Sequence, residues 1–234
     1  MGARALVIAV PSKGRLKEQA AEMFERAGMT LRVKGHERGY RGQLEGLGDV
    51  EVEYTSAAEI VHQLKAGRVH LGITGEDLVR ETLTDVDATV DFLKPLGFDH
   101  ADVVVAVPEC WLDVSHMADL EDVAAQFTRT HGRPLRVATK YMKLTRRFFA
   151  AQGVTGYRIV ESVGATEATP ATGTSELIVD ITSTGTTLTA NHLKVLEDGL
   201  ILKSQAHLLA ATGADWTDQA AKRRDEILGR LQTS

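Results

Sequence analysis

Short, continuous apolar runs alternate along the chain with segments whose apolar residues recur at helical spacing. The runs "ALVIAV" at 5–10 and "ADVVVAVP" at 101–108 are rich in β-branched residues, which is typical of strands covered on both faces. After the first run, Leu16, Ala20 and Phe24 fall on one helical face. This alternation predicts an α/β fold with mostly parallel sheets flanked by helices.

The same patterns place the remaining elements. Helix starts and ends are marked by capping residues, as at Ser56 with Glu59, and by glycines, as at Gly28 and Gly67. Further strands are predicted at 69–75, 135–139, 157–162, 176–181 and 200–211. Helices are predicted at 15–27, 56–67, 76–83, 119–132, 141–153, 187–196 and 215–231.

Composition excludes several classes of protein. The net charge is -5, whereas a protein that binds the phosphate backbone of nucleic acid usually has a positive net charge. A single cysteine, Cys110, excludes a disulfide framework and a Cys-rich metal site. No apolar run approaches the roughly 20 residues that span a bilayer, and the N-terminal run lacks the features of a signal peptide. We therefore expect a cytoplasmic protein that binds neither nucleic acid nor membrane.

The stretch "DITSTGTTLT" at 180–189 is the strongest functional signal. It joins a predicted buried strand to a predicted helix, and its glycine allows the backbone to approach a ligand closely. The absence of Lys and Arg favours a phosphate monoester held by neutral donors, although an ordinary threonine-rich turn has the same composition. Asp180 could bind sugar hydroxyls or cap the loop itself. The candidate phosphate-binding residues are Thr182, Ser183, Thr184, Gly185, Thr186 and Thr187.

A second candidate anion site is "PSKGR", where Lys13 and Arg15 flank Gly14 at a strand-to-helix turn. The alternative is a solvated helix start, but cations are mildly unfavourable at a helix N-terminus. Arg38 and Arg41 in "HERGYR" form either a third phosphate cluster or a solvated loop. The acids of "GED" at 75–77 could orient a base or a sugar, or cap a helix. No HExxH spacing or G-x-S-x-G elbow occurs, so the sequence supports neither a zinc site nor a serine nucleophile.

Three motifs together carry a family resemblance. "EATPATGTSELIVDITSTGTTL" at 167–188 has Glu, five residues, Gly, then Ile-x-Asp-Ile and Thr-Gly-x-Thr-Leu, and "SKGRL" at 12–16 and "GITGED" at 72–77 precede it in order. The chain resembles the ATP phosphoribosyltransferase family, which begins histidine biosynthesis, from residue 5 to about 211. The resemblance implies two α/β lobes like those of type II solute-binding proteins, one formed by 1–100 with 201–234 and the other by 101–200. The chain length resembles the short form, which implies a histidyl-tRNA-synthetase-like regulatory subunit and a homodimer of this chain.

The resemblance also implies a reaction. N1 of the ATP adenine attacks C1 of phosphoribosyl pyrophosphate and releases pyrophosphate, with Mg²⁺ as cofactor. Loop 182–187 would hold the 5-phosphate, with Asp180 and Glu167 beside the ribose. Lys13 and Arg15 would hold pyrophosphate. The implied ATP contacts are Arg38, Arg41, Thr74, Gly75 and Asp77, and no side chain is assigned to the metal.

The chain departs from the family pattern at several positions. "TSAAEIV", with Glu59, replaces an Arg…Asp-Ile-Pro stretch, and His70 stands where Asp is usual. Glu176 and Thr169 stand where Asp and Ala are common. The competing interpretation is a non-catalytic anion- or solute-binding module of the same fold.

Overall fold

The computed structural model describes residues 6–33 and 40–232. The chain divides into two compact units, Met1–Asp99 with Gln205–Ser234, and His100–Ser204. Among the described residues, no helix is both long and apolar enough to cross a membrane. The elements follow the chain in this order: β1 (Leu6–Pro11), α1 (Gly14–Arg26), β2 (Thr30–Val33), β3 (Arg41–Glu45), β4 (Val50–Thr55), α2 (Ala57–Lys65), β5 (Leu71–Gly75), α3 (Glu76–Thr82), β6 (Val90–Pro95), β7 (Ala101–Pro108), α4 (Met117–His131), β8 (Leu135–Thr139), α5 (Met142–Ala151), β9 (Tyr157–Glu161), β10 (Leu177–Thr182), α6 (Thr186–Ala190), β11 (Leu193–Ser204), β12 (Ala206–Ala211) and α7 (Asp218–Gln232).

The first unit is built on a seven-stranded sheet in the order β2-β3-β4-β1-β5-β12-β6. Its central strand, β1, is parallel to β4 and β5, and its alternate side chains Leu6, Ile8 and Val10 are buried in one core cluster. Helix α1 adds Phe24 to this core, and α7 adds Ile227. The apolar periodicity of both helices therefore gives the packing that the sequence predicts.

The second unit contains a five-stranded sheet in the order β11-β7-β10-β8-β9. Strands β10, β8 and β9 are parallel, so their carboxyl ends lie at the same edge of the sheet. Val103 and Val105 of β7 are fully buried, as are Val137 of β8 and Phe149 of α5. The continuous apolar runs are thus strands covered on both faces.

The α/β class is confirmed, but the sheets are mixed rather than mostly parallel. Among the described strands, only β4-β1-β5 and β10-β8-β9 are parallel sets. The strands β2, β3 and β4 form an antiparallel meander, and β11 and β12 return antiparallel to β7 and β5. Sequence patterns reveal a strand but not its direction, because direction depends on where the chain re-enters the sheet.

The helix predicted at 187–196 is wrong beyond its first turn. Helix α6 ends at Ala190, His192 has a positive φ of 56°, and β11 begins at Leu193. Residues 193–195 pair instead with 106–108 of β7. Sheet pairing and burial of Leu193 outweigh the weak helical preference of this segment.

The sequence patterns also do not predict β2, β3, β4 and β6. All four lie in the first unit. β3 and β4 carry exposed or half-buried polar residues at every second position, as in "RGQLE" and "VEVEYT". They pair antiparallel with each other, and short strands with one solvated face give a weaker signal than the buried runs.

Candidate functional site

The loop after β10 has the geometry of an anion site. Gly185 takes the left-handed conformation, with φ 75° and ψ -8°, and a Cβ placed there would meet no atom within 4 Å. The Gly185 amide donates to Thr182 Oγ1 over 2.9 Å, which closes the turn. Thr184 Oγ1 and Thr186 Oγ1 lie 2.8 Å apart on its exposed side. The loop is therefore folded on itself with open space in front of its glycine.

Several backbone donors of this loop have no partner. The amides of Ser183, Thr184 and Thr187 find no acceptor within the part of the chain that the structure describes. Backbone N–H groups that a fold leaves unpaired at a turn are available to donate hydrogen bonds to an anion. Because α6 has only five residues, its dipole adds less than the sequence suggests, and the loop amides and hydroxyls are the main donors.

Asp180, two residues before the loop, lines a cavity of about 590 Å³ together with Glu167. Its Oδ1 accepts the Ile181 amide at 2.8 Å. Burial raises the pKa of the Asp180 carboxyl above its usual range, the Ile181 hydrogen bond and the Lys140 charge oppose this rise, and Glu167 adds to it. The structure thus brings these two predicted residues into one site.

The cavity also contains residues that the sequence analysis does not identify: Lys140, Glu161, Ser162, Val163, Gly164, Ala165 and Thr166. Lys140 directly follows β8, and Glu161 and Ser162 stand at the end of β9. A sequence signal exists for them, because polar residues at the ends of neighbouring parallel strands meet at one edge. The missing information is strand order, which the sequence does not contain.

The 162–166 turn is held by its own hydroxyl groups. Thr166 is buried, and its Oγ1 lies 2.9 Å from Ser162 Oγ and 3.1 Å from the Gly164 carbonyl. Glu167 follows in a short 3-10 helix, Thr166–Ala168. One wall of the cavity is thereby fixed by local hydrogen bonds.

The loop between β1 and α1 is the corresponding feature of the first unit. Gly14 has φ 77°, and a Cβ there would meet no atom within 4 Å. Lys13 and Arg15 are exposed, and neither has an ion-pair partner among the described residues. Helix α1 has no acid in its first turn and no side-chain cap. Unpaired cations and free amides at the start of a 13-residue helix are an arrangement that favours anion binding.

The candidates for ATP contacts differ in exposure. Thr74 is fully buried, and its Oγ1 donates to the Ala57 carbonyl at 3.0 Å, which ties β5 to α2. Gly75 ends β5 and precedes the buried Asp77 in α3. Arg41 is exposed at the start of β3, and Arg38 lies outside the described residues.

Two of the departures from the family pattern have structural roles. Glu176 accepts hydrogen bonds from the Arg136 side chain at 2.7 Å and from Arg133 at 3.0 Å. Burial opposes ionisation of Glu176, but these hydrogen bonds prevail and lower its pKa to about 2. The Thr169 and Ser175 hydroxyl oxygens lie 2.8 Å apart. These contacts fix the segment that leads into β10 and its loop.

His70 is a buried connector. Its Nδ1 accepts the Val7 amide at 3.1 Å, so Nε2 carries the proton and donates to the Asp215 carbonyl at 3.1 Å. Its ring also packs edge-on against Trp216, with centroids 5.1 Å apart. The histidine joins β1 to the segment before α7, a contact that spacing along the chain does not reveal.

The fold and site have the features of a class of protein suited to a phosphorylated sugar: loop amides without partners in the described chain and, two residues before the loop, an aspartate that lines a cavity with other carboxyl groups, on an α/β unit. Comparison with known proteins agrees with this class. The family model described as "HisG: ATP phosphoribosyltransferase" matches residues 56–233. The ATP phosphoribosyltransferase of Rhodopseudomonas palustris (strain BisB18) is 59% identical over 225 residues, which cover 96% of this chain and 69% of that protein. The enzyme of Rhizobium meliloti (strain 1021) is 59% identical over 210 residues, covering 89% of this chain and 91% of the relative.

Solved structures have the same fold. The ATP phosphoribosyl transferase (HisG:HisZ) complex from Thermotoga maritima matches with a TM-score of 0.74 at 24% identity, over 97% of this chain and 96% of that one. The binding protein ArtJ from Geobacillus stearothermophilus matches with a TM-score of 0.53 at 13% identity, over 98% of this chain and 90% of that one. These likenesses show the predicted similarity to solute-binding proteins.

The chain belongs to the ATP phosphoribosyltransferase family. Its activity is the transfer of the phosphoribosyl group of phosphoribosyl pyrophosphate to ATP, the transferase step of histidine biosynthesis. The competing interpretation of a non-catalytic binding module is therefore not retained.

Proposed function

We propose that loop 182–187 binds the 5-phosphate of phosphoribosyl pyrophosphate and that Asp180 and Glu167 face its ribose. The observation that carries this proposal is the unpaired amide set of the loop, beside a cavity that both carboxyl groups line. A phosphate monoester has oxygens that accept hydrogen bonds from the amides. Ribose has hydroxyls that donate hydrogen bonds to a carboxylate. Holding both ends of the sugar phosphate fixes C1 for attack.

The reaction forms one bond and breaks one. N1 of the adenine supplies the electron pair of the new bond to C1, and the C1–oxygen bond to pyrophosphate breaks with its electrons on the departing oxygen. Positive charge develops on the ribose and negative charge on the leaving group. The carboxylates at the cavity stabilise the former, and cations are needed for the latter.

We assign the leaving group to Lys13, Arg15 and the amides around Gly14. Both side chains are exposed cations without ion-pair partners in the described chain, so their charges are available to pyrophosphate. For ATP we retain Arg41, Gly75 and Asp77 as candidates, with Arg38 outside the described residues. Thr74 has its hydroxyl committed to Ala57, and we assign it a structural role.

Mg²⁺ enters this proposal with the substrates. The described residues contain no group of three or more His, Cys, Asp or Glu side chains that could hold a metal ion. Mg²⁺ commonly keeps several waters and binds through substrate phosphates with few protein ligands. The ion therefore serves as the counterion of the pyrophosphate and triphosphate groups.

The test of the proposed site is pyrophosphate release from ATP, phosphoribosyl pyrophosphate and Mg²⁺. Asp180→Asn and Glu167→Gln should each lower kcat by about 10-fold or more, because each removes a negative charge beside the developing cation. Lys194→Met should leave kcat unchanged, because Lys194 lies on β11 and does not line the cavity. Wild-type rates in both carboxyl variants would contradict the assignment.

We further propose that a second polypeptide, a HisZ-like regulatory subunit that resembles histidyl-tRNA synthetase, binds this chain and carries histidine inhibition. The support is the fold shared with the HisG:HisZ complex. We also propose that the chain forms a homodimer. Histidine should inhibit the purified chain only after the partner is added, and light scattering should give the mass of a dimer. Strong inhibition of the isolated chain, non-competitive with both substrates, would contradict the regulatory part.

A further inference from the structure

Lys140 lies at the carboxyl ends of the parallel strands that carry the phosphoribosyl site. β10 and β8 are in register at Ile178 and Ala138; two residues farther along the chain come Asp180, which is still in β10, and Lys140, which directly follows β8. The carboxyl ends of neighbouring parallel strands lie at the same edge of the sheet. Both residues line the same cavity, which agrees with this placement.

The charges around this cavity are unequal. Asp180, Glu161 and Glu167 contribute three carboxyl groups, and Lys140 is the cation among its lining residues in the described chain. The α6 segment and the loop before it carry no charged residue. On the other side of β10, the titratable residue nearest in register is Asp102 of β7, opposite Thr182, with Lys203 opposite it on β11. Lys140 is therefore the nearby positive charge for the half-buried Asp180.

We propose that Lys140 is a positioning residue of the transferase: it keeps the Asp180 carboxylate charged and oriented to accept hydrogen bonds from the ribose hydroxyls. This inference rests on the proposed role of Asp180 in the phosphoribosyl site. Burial and the neighbouring Glu167 favour the protonated form of Asp180, and a protonated Asp180 loses acceptor capacity toward a sugar. The positive charge of Lys140 offsets that tendency.

Lys140→Met removes the positive charge, and Lys140→Arg keeps it on a side chain of different shape. At neutral pH, kcat/KM for phosphoribosyl pyrophosphate should fall roughly 10-fold in Lys140→Met and return to within about threefold of wild type in Lys140→Arg. The acid limb of the kcat/KM profile should move to higher pH in Lys140→Met, because loss of the cation raises the pKa of Asp180 further. Lys194→Met on β11 is the matched control and should change neither value.

A second readout does not depend on activity. A carbon-detected NMR titration of side-chain carboxyls, with Asp180→Asn to assign the resonance, should show a higher Asp180 pKa in Lys140→Met than in wild type. An unchanged Asp180 titration overturns the inference, even if turnover falls. A pH-independent rise of KM alone also overturns it, because that result means direct contact with phosphate. If wild type releases no pyrophosphate, the proposed function fails, and the titration still decides the coupling between Lys140 and Asp180.

Discussion

The loops after β1 and after β10 share one backbone design and differ in chemistry. Each joins a buried strand to a helix through a left-handed glycine, with φ 77° at Gly14 and 75° at Gly185, and open space in front of it. The first loop is flanked by Lys13 and Arg15 on a 13-residue helix, and the second carries only hydroxyls on a five-residue helix. Strand-glycine-helix geometry supplies the amides in both.

This difference in charge indicates that the two loops have different functions. A neutral donor set binds through directed hydrogen bonds, which fix position and depend little on salt. A charged set acts at longer range and is suited to charge that increases during the reaction, as on departing pyrophosphate. We therefore expect the β10 loop to determine where the substrate sits and the β1 loop to influence mainly turnover.

The largest effect is expected from Gly185→Val. The side chain would occupy the open space that we propose for the phosphate, and we expect phosphoribosyl pyrophosphate to bind about 100-fold more weakly by calorimetric titration. Gly153→Val is the matched control, because Gly153 has φ 73° and open space in the same unit, at the end of α5. Both variants carry the same backbone strain, so equal loss of affinity in the two would show that the loop has no special role.

A second prediction concerns the support of the β10 loop. Glu176→Gln should lower the free energy of unfolding of the second unit by about 2 kcal/mol at neutral pH, because its carboxylate accepts hydrogen bonds from Arg133 and Arg136. The folded pKa of about 2 lies below the usual glutamate pKa of 4.5, so this stability is complete above about pH 4.5 and is lost as pH falls toward 2. The difference between wild type and Glu176→Gln should therefore shrink over that range.

Tryptophan fluorescence can follow the unfolding of the two units separately. The chain has two tryptophans: Trp111 packs against the core of the second unit, and Trp216 packs against the core of the first. In a Trp216→Phe background, denaturation followed by Trp111 fluorescence reports the second unit. A pH-independent effect of Glu176→Gln would contradict the assigned ion pairs.

Arg15→Ala tests the charged loop. We expect turnover to fall about 10-fold, roughly 1.4 kcal/mol in the barrier, with a smaller change in affinity for phosphoribosyl pyrophosphate. Arg26→Ala, at the other end of the same helix, should leave turnover unchanged. A variant at Arg15 that loses affinity but keeps kcat would reverse the division of tasks between the loops.

The smallest effect is expected from Thr182→Val, which removes the acceptor of the Gly185 amide while keeping the side-chain shape. Loss of one such hydrogen bond costs about 1 kcal/mol, so substrate affinity should fall about fivefold. Thr128→Val removes a comparable hydroxyl bond to the Ala124 carbonyl in α4 and should leave affinity unchanged. Titration of both proteins with phosphoribosyl pyrophosphate decides between a preorganised loop and one that forms on binding.

Local signals in the sequence predict some elements well and others poorly. The run at 101–108 and the strand at 135–139 have the predicted bounds, because continuous burial leaves a distinct composition. Ser56 caps α2 as predicted, accepting the Glu59 amide at 3.2 Å. By contrast, 193–196 has a helical pattern and forms a strand, because pairing with β7 lies outside any local window. The sequence does not identify Lys140 as a site residue for the same reason, because only strand order places it beside Asp180.

The sequence by itself determined the α/β class, the family motifs and the two glycine turns, because each depends on residues close together in the chain. Tertiary structure decided the mixed strand directions, the short α6, and the grouping of Lys140, Glu161, Glu167 and Asp180 around one cavity. These features depend on contacts between segments tens of residues apart. Their free energy comes from sheet pairing and burial, which no local pattern specifies.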